Sequence, residues 1–253
     1  MKLVWLCLVA AVLLAGCGAA TLKNAASAIE IKRAPSDAQM NEALKTALRD
    51  GATNAANQLA KEGGFGKSSI YKIYLPTEAE AIAQNVKLIP GGQKLIDDAI
   101  TRINAAAESA AKEASPIFAE TIANMTIADA IGILKGGENA ATNYLRQKTS
   151  GALKTAFAPK ISAALDRRLV AGVSARTSWD ALVGGYNKAA NSLAGKIAKL
   201  EPIRTSLNDH VLDKALFALF SETANAEAKI RANPLGAADA TVRKVFEYAK
   251  NSL

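Results

Sequence analysis

Alanine supplies much of the apolar content of this chain, and that limits the folds open to it. Half of the residues are hydrophobic, yet only 5% are aromatic. Alanine is the best helix former and carries little bulk, so helices approach closely while each contact buries modest area. An all-β sandwich would want more Val, Thr, Tyr and Phe. The 253 residues suffice for one good-sized domain or two small ones. The composition points to an all-α, bundle-like multi-helix domain.

Periodicity and capping divide it. Ser36 with Gln39 forms a capping box that opens the first helix, in which Met40, Ala43, Leu44, Ala47, Leu48, Ala55 and Leu59 share one face. Gly63-Gly64 stops that helix. Residues 69–75 read as one short extended segment, either a strand or a crossing. Pro76-Thr77 opens a short helix with Glu80 as the second half of a capping box, ended by Pro90-Gly91-Gly92. A long helix is expected over 93–114, kinked or restarted at Pro116. Thr126 with Asp129 caps another, closed by Gly136-Gly137. Further helices are expected at 138–148, 151–166, 178–191, 209–232 and 236–250. Leu182-Val-Gly-Gly-Tyr-Asn loosely echoes Leu134-Lys-Gly-Gly-Glu-Asn, which reads as two helix–Gly-Gly–helix corners rather than a repeat array.

The amino terminus bears on the compartment. Met1-Lys2 supplies charge, Leu3 to Leu14 is apolar, and Leu14-Ala15-Gly16-Cys17 follows. Charge, apolar stretch and small residues are the three parts of a signal peptide. The ending resembles the bacterial lipobox, which implies cleavage before Cys17 and lipid on its sulfur. An uncut membrane anchor and an ordinary cleaved signal peptide are the rivals. The first is at the lower length limit for spanning, and the second leaves the placement of Cys17 unexplained. The expected organisation is a signal peptide at 1–16, a lipidated Cys17 with a tether at 17–35, and a single helical domain at 36–253. Gly18 stands where Asp usually marks inner-membrane retention in Gram-negative bacteria. By that resemblance the chain faces the periplasm from the outer membrane.

Composition narrows the chemistry. The net charge of +8 has no long basic run behind it, so nucleic acid is not an expected partner. Cys7 and Cys17 are the two cysteines, so a chain cut before Cys17 and acylated there has no free thiol for catalysis or zinc. His210, the single histidine, has Asp213 at i+3 but lacks the further ligands a metal needs. Asp129 is a candidate acid and equally a helix cap. The Gly-Gly corners lack phosphate-loop spacing, and Gly64-Phe-Gly66-Lys67 is the nearest approach. No Gly-x-Ser-x-Gly elbow is present, and no cofactor is implied.

Residues 125–146, MTIADAIGILKGGENAATNYLR, resemble the signature of a bacterial family, domain of unknown function 4197. The segments 73–76 (IYLP), 116–118 (PIF), 186–188 (YNK), 213–216 (DKAL) and 230–234 (IRANP) match in order. The resemblance spans roughly 38–247 and implies an α-rich envelope protein, often a lipoprotein, with no established activity. Members often carry two acids after the Gly-Gly corner, whereas Glu138-Asn139 offers one. Glu120, Arg146, Asn187, Lys214, Glu222 and Arg231 are polar groups in family-like segments. With Asp129 and Asp213 they form a tentative polar site, or else surface pairs of little worth each.

Three readings of function follow. The first is a non-catalytic envelope lipoprotein that binds a protein partner or scaffolds, held to a membrane by its lipid. The second is a carrier of a lipid or other apolar ligand in a helical cavity, and the third an enzyme acting on envelope material.

Overall fold

The computed structural model describes residues 34–80, 92–168, 172 and 174–252. The expected signal peptide, Cys17 and most of the tether lie outside the described residues, as does most of the short helix expected after Pro76. The described residues form an all-α fold: α1 (Asp37–Ala60), α2 (Gly92–Ala111), α3 (Ala114–Ala123), α4 (Ile127–Lys135), α5 (Ala140–Leu165), α6 (Ala175–Asn191), α7 (Leu193–Ile197), α8 (Leu207–Ala232) and α9 (Ala240–Ser252). Helices α1, α5 and α8 are the frame. α1 packs on α2, α3, α4, α8 and α9, while α5 packs on α2, α3, α4 and α8. Buried side chains from Met40 to Phe246 join in one hydrophobic cluster. Alanine works there as expected: Ala43, Ala52, Ala56, Ala106, Ala107, Ala110 and Ala215 are fully buried at helix contacts. Larger volume comes from Phe65, Phe118 and Phe157, and Phe118 meets Phe220 edge-on at 6.2 Å. Among the described residues no single helix is long and apolar enough to cross a membrane.

Both capping boxes at Ser36–Gln39 and Thr126–Asp129 form, each satisfying amides at its own helix start. Pro116 sits in the first turn of α3, where its missing amide costs nothing. Other expectations are corrected. Residues 77–79 make a 3₁₀ turn with Pro76 at the cap position, and the Thr77 hydroxyl donates to Glu78 instead of capping. The stretches 138–148 and 151–166 are one helix, α5. Its buried residues Leu145, Thr149, Leu153, Phe157, Ile161 and Leu165 recur every fourth position. Such a stripe advances about 40° per step around the helix, so successive turns face different neighbours and no single apolar face shows in the sequence. Gly184-Gly185 is not a corner but lies inside α6. α7 follows α6 without an anticipating signal, and α9 starts at Ala240 because Asp239 accepts from the amides of Thr241 and Val242.

Segment 69–75 is an extended crossing with turns, and among the described residues no strand pairs with it. Its backbone is satisfied by a side chain instead. Asn104, 1% exposed on α2, accepts from Ile73 N–H at 2.9 Å and donates to Ile73 C=O at 2.8 Å. Asn187 on α6 does the same for Ile203, at 2.8 Å in both directions. A carboxamide thus replaces the neighbouring strand that extended backbone otherwise needs.

Gly151 lies in the exposed interior of α5, and a Cβ there would meet nothing within 4 Å. Gly151→Ala should therefore stabilise the fold by roughly 0.5–1 kcal/mol by lowering unfolded-chain entropy. Thermal unfolding should show a midpoint about 1–4 °C higher; an unchanged or lower midpoint would contradict the open helical setting.

Candidate functional site

The Gly136-Gly137 corner between α4 and α5 is held from outside itself. Asn139 takes the cap position of α5 in a left-handed conformation, φ 64°, and makes no side-chain cap. The amide of Ala140 bonds Gly137 C=O, which leaves the next two amides without local acceptors. Glu227, 7% exposed on α8, supplies both. Its carboxylate accepts from Ala141 N–H at 3.1 Å and from Thr142 N–H and Oγ1–H at 2.9 Å each. One turn on, Arg231 pairs with Glu227 at 2.9 Å and donates to the C=O of Ile133 at 2.9 Å and of Gly136 at 3.4 Å. An acid meets the positive start of α5 and a base the negative end of α4. Gly136 is required by proximity, since a Cβ there would lie 2.6 Å from Ala140 Cβ.

Above this pair opens a cleft of about 190 Å³ between α1, α8 and α9. Its walls are chiefly Leu44, Leu48, Ala226, Ile230, Val242 and Phe246, with Asp50 and Asp239 among its polar lining. An adjoining trough of about 690 Å³ shares Gly51, Ala226, Ile230 and Ala237 with it. The trough is more open and carries polar groups, including Asn54, Gln58, Glu222 and Lys229.

The expected polar residues do not converge. Glu120 is exposed on α3. Asp129 is half-buried in its capping box, and hydrogen bonds from Thr126 hold its carboxyl below the usual aspartate value. Arg146 is exposed and lies over the Phe220 ring at 5.1 Å. Asn187 is committed to Ile203. Asp213 and Lys214 are exposed beside a shallow hollow that also holds His210, whose Nε2 lies 2.9 Å from Tyr74 C=O. They sit about 27 Å along α8 from Arg231 at 1.5 Å per residue. Only Arg231 and Glu222 line the cleft and trough. Among the described residues no group of three His, Cys, Asp or Glu is placed to hold a metal. The amides of Phe65 and Gly66, in the nearest approach to a phosphate loop, are already taken by the Glu108 carboxylate at 3.1 and 3.0 Å.

Glu227, Asn104 and Glu108 escaped sequence reasoning. Arg231 is marked in the sequence by its place in the 230–234 segment, but its pairing with Glu227 is not, because an i,i+4 acid–base pair fits an exposed helix face equally well.

Two measurements test this site. Glu227→Ala leaves Arg231 and two amides unpaired, and should cost about 3–5 kcal/mol in urea unfolding. Glu227→Gln keeps acceptors and should cost less; equal small losses would show the pair to be dispensable. Tyr71, next to Glu222, has its phenol pushed from 10.0 up to about 12, first by burial and then by the Glu222 carboxylate. The folded state holds this proton more tightly than the unfolded chain. Its contribution is therefore complete below pH 10 and lost as pH rises toward 12. Tyr71→Phe should flatten that alkaline decline, measured as unfolding free energy against pH.

No curated protein and no solved structure matches this chain. One family model does, described as protein of unknown function DUF4197, over residues 34–247. With the match running from the approach to α1 into α9 and containing the whole Glu227–Arg231 corner, the chain belongs to the DUF4197 family.

Proposed function

We propose that this is a lipid-anchored envelope protein whose helical domain binds a protein partner in the cleft between α1, α8 and α9. The cleft carries the reading. It is apolar-walled and open, and beside it runs a polar-edged trough, which suits an inserted side chain flanked by a polar segment. Its floor is rigid because Glu227 and Arg231 spend their hydrogen-bonding groups on helix ends. A carrier of apolar ligands is less well served. The cleft, at about 190 Å³, falls short of the roughly 300 Å³ expected of a ligand pocket, and the larger trough would leave an acyl chain wet. The third reading, an enzyme acting on envelope material, has less to draw on: Glu227 and Arg231 are committed to the two helix ends. The anchor rests on the Leu14-Ala15-Gly16-Cys17 ending, and its placement on the periplasmic face of the outer membrane rests on Gly18.

A photoreactive residue at Ala238, an exposed position on the cleft rim, should give one discrete adduct in cells. Ile230→Glu should abolish that adduct while circular dichroism stays unchanged. Diffuse adducts insensitive to Ile230→Glu would refute the cleft as a partner site. Separately, labelled palmitate should enter the protein and be lost in Cys17→Ala; continued acylation of that variant would remove the anchor.

A further inference from the structure

α7 departs from the packing of the other helices. It stands on α6, which reaches the body of the domain through α8. Ser192 caps it, and Gly195 is buried against the last turn of α6, where a Cβ would run into the carbonyls of Ala189 and Ala190. The element is therefore fixed in place, yet it turns its largest side chains outward. Leu193 is 78% exposed, Ile197 75% and Leu200 39%. Leu193 and Ile197, at i and i+4, share a helical face, and Leu200 follows the turn that a left-handed Lys199, φ 55°, makes at the helix end. Single exposed apolar residues are ordinary, but two on one face of a short helix, with a third just past its end, stand out. Lys196 and Lys199 interleave them, with Lys188 and Arg204 to either side, all exposed; Glu201 is the one acid from 188 to 204.

We propose that this face docks on an anionic lipid surface. Protein interface cores favour aromatic residues and arginine and are depleted in lysine. Here the apolar groups are aliphatic, which mix with acyl chains without any demand on shape. The cations are lysines, whose long stems let the charge reach phosphate while the stripe sinks among the headgroups. The proposal takes its membrane from the anchored reading above. A tether of about 18 residues extends up to roughly 60 Å, longer than any helix here, so it permits any face to turn toward the bilayer.

The test uses the full, acylated protein reconstituted into vesicles of phosphatidylcholine alone or rich in phosphatidylglycerol. Hydrogen exchange of residues 192–201 should slow by about tenfold in the anionic vesicles relative to the neutral ones. Leu193→Ser with Ile197→Ser, both at exposed positions, should erase the difference and leave exchange in α1, α5 and α8 unchanged. Equal exchange in both vesicle types overturns the proposal. So does protection that appears only with membrane-free envelope extract, which would assign the face to a protein. Intact mass on the same sample separates the two readings. An unacylated chain that is still protected keeps the docking face and loses the anchor; an acylated chain without protection does the reverse.

Discussion

A buried acid and a half-buried base one helical turn apart tie three helices together. Glu227 ends the search of α5 for acceptors at its start, and Arg231 ends the search of α4 for donors at its finish. Each charge is costly to bury alone; each is compensated by the other and by a helix end of opposite sign. Because both residues come from α8, the α4–α5 corner cannot form fully until α8 is docked. α1 packs on α4 and α8 alike, so the frame inherits this dependence. Gly136 and the left-handed Asn139 are the local conditions that let the corner come close enough.

The same logic recurs at lower charge. Asn104 and Asn187 satisfy the backbone of Ile73 and Ile203, and Glu108 satisfies two amides after Gly64. Asn104 and Glu108 stand four apart on α2, so one face of that helix grips the whole crossing from Phe65 to Ile73. Buried backbone groups need partners, and extended segments with no neighbouring strand among the described residues find them in side chains. This accounts for polar residues among alanines on otherwise packed faces. It also bears on function: of the polar groups that look poised for chemistry, several are spent on holding the fold.

Two surface features of the described residues stand apart from these polar contacts. One is the cleft on α1, α8 and α9, shaped by the frame itself. The other is the stripe on α7, which stands away from the frame and contributes little to it. The first offers depth without enclosure, and the second apolar groups with charge between them. Neither needs a reactive side chain.

The sequence by itself determined the fold class, the family and the helix starts at Ser36 and Thr126. These rest on composition, on ordered matches along the chain, and on interactions that close within three residues. Only tertiary structure decided which polar residues matter and how. Glu227–Arg231 looks the same in sequence whether exposed or buried, because an i,i+4 pair satisfies the same helix geometry in either setting. Asn187 stood out through its resemblance to family members, but its partner Ile203 is fixed by how α6 meets the segment before α8. The unity of α5 was hidden because its buried stripe winds around the helix, so the neighbours that cover it, α2, α3 and α8, are what define it.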